Sequence, residues 1–194
     1  MRTFLVVLSM ASFAGCAEPS VLHHPVSPTP ATVSDGAIPD ELFMGHLTFA
    51  GGDGERSAIA KSVDAATEAM NFIARGIARN RLKETNRVPS RIELSRRRGQ
   101  LTVVIDGRRY TGPLDGTPVT VTGLTGDEVE MTYGADGADL IQTFRGEDGG
   151  RENTFQLLDE QTVALGVRVF SQRLPADVFY SLTYHHGPSA GAAR

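Results

Sequence analysis

The stretch EVEMTYGADGADLIQTFR, Glu128–Arg145, decides how the rest of the chain is read. Val129, Met131 and Tyr133 fall at every second position, and so do Leu140, Gln142 and Phe144. A period of two turns one set of side chains inward and the other to water, the mark of a half-buried strand. Asp136-Gly137 lies between the two runs and suits the tight turn of a hairpin. The stretch therefore reads as two antiparallel strands sharing one buried face.

The same punctuation recurs on both sides. Asp106-Gly107, Asp115-Gly116, Gly126-Asp127, Asp136-Gly137, Asp148-Gly149 and Asp159-Glu160 are separated by 9, 11, 10, 12 and 11 residues, which is hairpin spacing. Between them run LTVVI, RRYTG, PVTVT, NTFQLL and VALGVRVF, with VFYSLTY after Leu174-Pro175. The inward faces predicted are Val119/Val121, Phe155/Leu157, Val163/Leu165/Val167/Val169 and Val178/Tyr180/Leu182/Tyr184, besides those of the opening stretch. Arg91 to Ser95 adds a strand, and Leu42–Phe49 (LFMGHLTF) a first one with Phe43, Leu47 and Phe49 on one face. The fold class is mainly β (α+β): an antiparallel up-and-down meander of about 8–10 strands forming a barrel or a strongly curled sheet. One long helix near 54–85 is expected to pack on it. Ile59, Val63, Ala66, Met70, Ile73 and Ile77 recur at helical spacing, Asp53 suits the N-cap, and Gly76 marks a kink or a break.

Charge is uneven. Gly54 to Arg109 holds 13 basic and 6 acidic residues (+7), and Tyr110 to His186 holds 4 basic and 12 acidic (−8), within a net charge of −4. Arg75, Arg79, Arg81, Arg96, Arg97 and Arg98 are the candidate anion-binding residues, and a polyanion-binding module is one alternative function. Without interleaved aromatic residues, nucleic acid is not an expected partner.

The arrangement of strands resembles lipocalin-like, calycin-type domains. Where those families usually carry Gly-x-Trp on the first strand, this chain has Gly45-His46-Leu47, and it contains no tryptophan. The resemblance implies a small apolar ligand inside a barrel, with Gln142, Tyr133, Phe144, Tyr180 and Tyr184 as candidate lining residues. The alternative is that Gln142 and the tyrosine hydroxyls satisfy one another or the backbone.

At the N-terminus, Met1-Arg2 precedes an apolar run, Thr3 to Phe13, of signal-peptide length. Phe13-Ala14-Gly15-Cys16 resembles the lipobox of bacterial lipoproteins, with Phe13 where Leu is usual. The resemblance implies cleavage before Cys16, acylation of that residue and anchoring through its acyl chains, and, with Ala17 rather than Asp after the cysteine, the outer membrane as destination. The alternative is an ordinary secretory signal cut after Ala17. The organisation expected is a signal peptide (1–15), a lipidated cysteine with a Pro/Ser/Thr-rich tether (16–40), a β-domain (41–187) and a tail (188–194), in a bacterial cell envelope, at the outer membrane.

Familiar chemistry is missing from the sequence. There is no Gly-x-Ser-x-Gly elbow, phosphate loop or His-Glu-x-x-His, and the single cysteine excludes an internal disulfide. His23-His24 falls in the tether, and His185-His186 ends a strand with its two side chains on opposite faces. The Asp-Gly pairs lack the spaced oxygens of a calcium loop. No metal, cofactor or catalytic residue is expected. The function expected is a non-catalytic envelope lipoprotein that binds a small apolar ligand, or an interaction or structural module with an envelope protein partner. The alternative enzyme is an envelope hydrolase using Glu128, Glu130 and Asp139.

Overall fold

The computed structural model describes residues 44–187. Cys16, the leader, the tether with His23-His24, and the tail from 188 lie outside the described residues.

Ten strands form one antiparallel sheet: β1 (Gly45–Phe49), β2 (Arg91–Arg97), β3 (Gln100–Ile105), β4 (Arg108–Pro113), β5 (Val119–Thr122), β6 (Glu128–Asp136), β7 (Asp139–Arg145), β8 (Gly149–Leu157), β9 (Thr162–Ser171) and β10 (Val178–His186). Their order is β4-β3-β2-β1-β10-β9-β8-β7-β6-β5. Every neighbour is a hairpin partner except β1 and β2, which the helical segment joins, and β1 and β10, which pair Leu47 with His186 and Phe49 with Tyr184. The proposed inward faces are the buried or half-buried ones throughout β5 to β10.

The sheet curls until its outer strands meet. Tyr133 Oη donates to the Tyr110 carbonyl at 3.0 Å and Arg108 to the Gly123 carbonyl at 3.0 Å. Between these bonds Gly112 faces the side chains of Met131, Val119 and Tyr133. A Cβ there would sit 3.1 Å from the Met131 methyl. The barrel is thus nearly closed, with side chains in place of a backbone ladder along the β4–β5 seam.

Two helices join β1 to β2, not one: α1 (Asp53–Thr67) and α2 (Phe72–Thr85). The chain breaks at 68–71, where Asn71 caps α2 by accepting from the Ala74 N–H at 2.9 Å. Gly76 lies inside α2, so it is neither the break nor its cause. Gly52, rather than Asp53, is the N-cap of α1 and contributes no side-chain bond. The apolar stripe accordingly splits. Ile59, Val63 and Ala66 are buried under α1, whereas Ile73 and Ile77 are exposed on α2.

α1 covers β10 where β1 leaves it. Ala50 and Gly51 donate their N–H groups to the Thr183 carbonyl. Glu55 accepts from the Thr183 N–H at 2.9 Å and its hydroxyl at 2.7 Å, and Ser62 Oγ accepts from the Phe179 N–H at 2.9 Å. Gly51 leaves room for this, because a Cβ there would overlap the Glu55 carboxylate and force it away from Thr183. Helix side chains therefore take the strand donors that a longer β1 would have paired. Replacing Glu55 with Ala leaves the Thr183 N–H without its acceptor and should cost about 2 kcal/mol, measured as a lower urea midpoint at unchanged slope.

Candidate functional site

One row of cross-strand partners runs round the inside of the barrel. Tyr133 opposes Gln142, Gln142 opposes Asn153, Asn153 opposes Val167, and Val167 opposes Tyr180. Facing pairs of this kind bring their side chains together. Gln142 Nε2 donates to Tyr133 Oη at 3.1 Å, and Asn153 Nδ2 donates to Gln142 Oε1 at 3.0 Å. Gln142 and Asn153 are buried and satisfied. Val167 is the one apolar member of the row.

Arg151, two residues before Asn153 on the same face of β8, reaches past that interruption. Its Nε donates to Asn153 Oδ1 at 2.8 Å, its Nη1 to Asn86 Oδ1 at 3.0 Å and the Thr85 carbonyl at 3.3 Å, and its Nη2 to Tyr180 Oη at 3.3 Å. Tyr180 passes its own proton to Asn86 Oδ1 at 2.9 Å. The C-terminal end of α2, strand β8 and strand β10 are joined through this one guanidinium. All four of its acceptors are neutral, and no carboxylate among the described residues pairs with it. Among the described residues the half-buried cation therefore has no carboxylate partner, and one N–H of Nη2 makes no bond to them, of the five a guanidinium carries.

Burial pushes the Tyr180 hydroxyl above its ordinary pKa, and the Arg151 charge and bond partly oppose this. Burial likewise raises Tyr133 and Tyr184, Tyr133 against the lowering effect of its bond with Gln142. These phenols stay neutral in the fold and donate hydrogen bonds.

Of the residues proposed as ligand-lining, the structure joins Gln142, Tyr133 and Tyr180 in one network. Tyr184 instead donates to the Pro89 carbonyl at 2.9 Å and meets Phe49 edge-on. Phe144 stacks edge-on against Tyr110, with centroids 5.0 Å apart. The polar groups satisfy one another and the backbone. The interior around them is filled. Leu47, Ile92, Val103, Phe155 and Leu182 are at 0 % exposure, so no water-sized void touches them.

The candidate anion-binding arginines fall into two sets. Arg75, Arg79 and Arg81 are on α2, while Arg96, Arg97 and Arg98 belong to β2 and its turn into β3, where Arg98 takes a left-handed φ of 53°. Arg79 pairs with Asp64 at 3.0 Å, and Arg75 donates to the Glu68 and Met70 carbonyls at the end of α1. Glu128 and Glu130 are exposed on β6, and Asp139 accepts from Gln156 at 3.3 Å. The described residues contain no group of three or more His, Cys, Asp or Glu side chains placed to hold a metal.

Sequence reasoning missed Arg151, Asn153 and Asn86. The first two had a signal: the alternation of Phe155 and Leu157 continues backward through Asn153 to Arg151. Asn86 follows a helix and carries no local signal.

No family model matches the chain, and no curated protein matches it. Among solved structures it is similar to the fluorescent protein UnaG, with a TM-score of 0.50, 12% identity, and coverage of 75% of this chain and 97% of that one. The shared property is the fold. It is a calycin-type barrel. Echinococcus granulosus fatty-acid-binding protein 1 matches at a TM-score of 0.48 and 12% identity over 75% of this chain and 98% of that one. Caenorhabditis elegans lipid binding protein 8 matches at 0.46 and 8% over 80% and 99%.

The raised phenols give a pH dependence with a definite sign. Their folded pKa values lie above the unfolded value of about 10, so their contribution is complete below that pH and falls as pH rises through the folded values. The melting temperature should be level on this account from pH 8 to 9.5 and drop toward pH 12. Tyr133→Phe should lessen that drop while lowering the plateau by about 2 kcal/mol, since Tyr110 and Gln142 each lose a partner.

Proposed function

We propose that the protein is a non-catalytic, lipid-anchored module of the bacterial envelope that binds a small amphipathic anion, its negative head on Arg151 and its apolar part in the barrel. The observation that carries this reading is the Arg151 cation, which among the described residues has four neutral acceptors, no carboxylate partner and one N–H without a bond. A carboxylate or sulfonate there would form charge-assisted bonds in a poorly hydrated site. Fatty acids, after which several proteins of similar fold are named, are one such class.

The filled interior sets the manner of binding. An apolar tail has to displace side chains, and the barrel widens most cheaply where no ladder holds it. At the β4–β5 seam the bonds from Tyr133 and Arg108 are the ones to break, each contributing about 1 kcal/mol. An amphipathic dye such as anilinonaphthalene sulfonate tests this directly. It should bind with enhanced fluorescence and be displaced by a long-chain carboxylate more readily than by the matching alcohol. Arg151→Met should weaken binding about tenfold or more, from loss of a charge-assisted bond.

The same packed interior favours a second reading, a solid interaction platform in which Arg151 ties α2 to the sheet. On that reading neither carboxylate nor dye raises the melting temperature, and Arg151→Met only destabilises.

The anchor belongs to the proposal as well, supported by Phe13-Ala14-Gly15-Cys16. Cys16→Ala should abolish incorporation of labelled fatty acid and release the protein from the membrane fraction. Acyl incorporation that survives the change overturns the anchor.

A further inference from the structure

α2 is turned inside out. Ala74, Ala78 and Leu82, spaced by four, face inward and are half-buried or buried. The largest apolar residues face water: Phe72 is 89% exposed, Ile73 74% and Ile77 67%. An ordinary surface helix would bury these three and expose the alanines. With Gly76 and Asn80 they line a groove on the outside of the helix, flanked by Arg75 and Arg79. One turn further along come the exposed Arg81, Lys83 and Glu84, with Arg81 3.9 Å from Asp127. α2 carries these four basic residues and a single acidic one, Glu84.

Two arguments choose the occupant of this face. A second copy of the chain would bring the basic residues of two α2 helices together, offset only in part by Glu84 and by Asp64 and Asp127, which pair with Arg79 and Arg81. Three side chains also bury far less than the roughly 1,200 Å² at which stable protein interfaces begin. An anionic bilayer suits both features, because large apolar side chains insert at the headgroup boundary while basic residues stay on the phosphates. We propose that the exposed face of α2 seats on the surface of an anionic phospholipid bilayer, with Phe72, Ile73 and Ile77 inserted and Arg81 and Lys83 on lipid phosphates.

The proposal rests on the lipid-anchor part of the proposed function, which brings the barrel to a bilayer. The residues between Cys16 and Met44 span less than about 100 Å even fully extended, so an anchored barrel stays within reach of the surface. Docking then becomes an intramolecular event at high effective concentration.

The absence of tryptophan supplies the experiment. Phe72→Trp and, as a comparison, Phe179→Trp on the outer face of β10 each introduce a single reporter at an exposed site. The full lipid-modified chain is reconstituted into vesicles of phosphatidylglycerol and phosphatidylcholine, with or without brominated acyl chains. Emission from residue 72 should shift to the blue and lose roughly half its intensity to the brominated chains, as expected for a side chain at the acyl boundary. Emission from residue 179 should do neither. Adding Ile77→Glu to the Phe72→Trp chain should restore the water-exposed spectrum.

Vesicle-bound protein whose residue-72 emission matches that of residue 179 overturns the docking and leaves the anchor standing. A blue shift that grows with protein concentration in the absence of lipid overturns it in favour of self-association. Protein that does not sediment with the vesicles at all overturns anchor and docking together.

Discussion

Closure without a ladder is the constraint on which this barrel depends. The meander leaves β4 and β5 as the two ends of one sheet, and unpaired strand edges invite pairing with other chains. Here the ends are brought together by Tyr133 reaching the Tyr110 carbonyl, by Arg108 reaching the Gly123 carbonyl, and by the bare Gly112 that lets Met131 and Val119 approach. Tyr133 is also the first member of the interior polar row. Closure and the candidate site therefore share an atom, and whatever loosens the seam also reaches Gln142 and Asn153.

The interior polar row explains how a filled barrel remains unique. Apolar packing alone tolerates many arrangements, whereas each amide of Gln142 and Asn153 has few positions in which its donors and acceptors are met. Arg151 extends that restriction to α2, since Asn86 and Thr85 lie just beyond the helix and at its last residue. The helical pair is held at two places by different means: Glu55 and Ser62 bind strand backbone near β10, and Arg151 binds the far end of α2 from β8.

The sheet was legible because its code is local. Alternation and Asp-Gly turns placed the inward residues of β5 to β10 correctly, and the left-handed φ values of Asp106 (47°) and Gly107 (82°) are the turn chemistry that the pair announces. The helical region was harder. Ile59 through Ile77 follow one period across a break that Asn71 makes by capping, and a capping bond can be recognised only once the helix on its far side is known. The polarity of α2 could not be read at all, because helical spacing identifies an apolar face without saying which way it turns. At the candidate site, Tyr133, Gln142 and Tyr180 were visible as polar residues on an inward face. Arg151 was hidden by the adjacent Asp148-Gly149 turn signal, and Asn86 joins it only through tertiary contact.

The pairing of Leu47 with His186 has a consequence for how the molecule is made. From β2 to β4 and from β5 to β10 each strand pairs with the next, so hairpins can form as the chain emerges, and β2 reaches β1 across the helical segment, but the β1–β10 pair joins nearly opposite ends of the described chain. Such distant contacts form late, after the entropy of a long loop has been overcome. Until β10 arrives, β1 has a partner on one side only and α1 has no strand to cover. The last strand of the described residues is thus the one that completes the core, and loss of β10 would strand both the first strand and the helix that follows it.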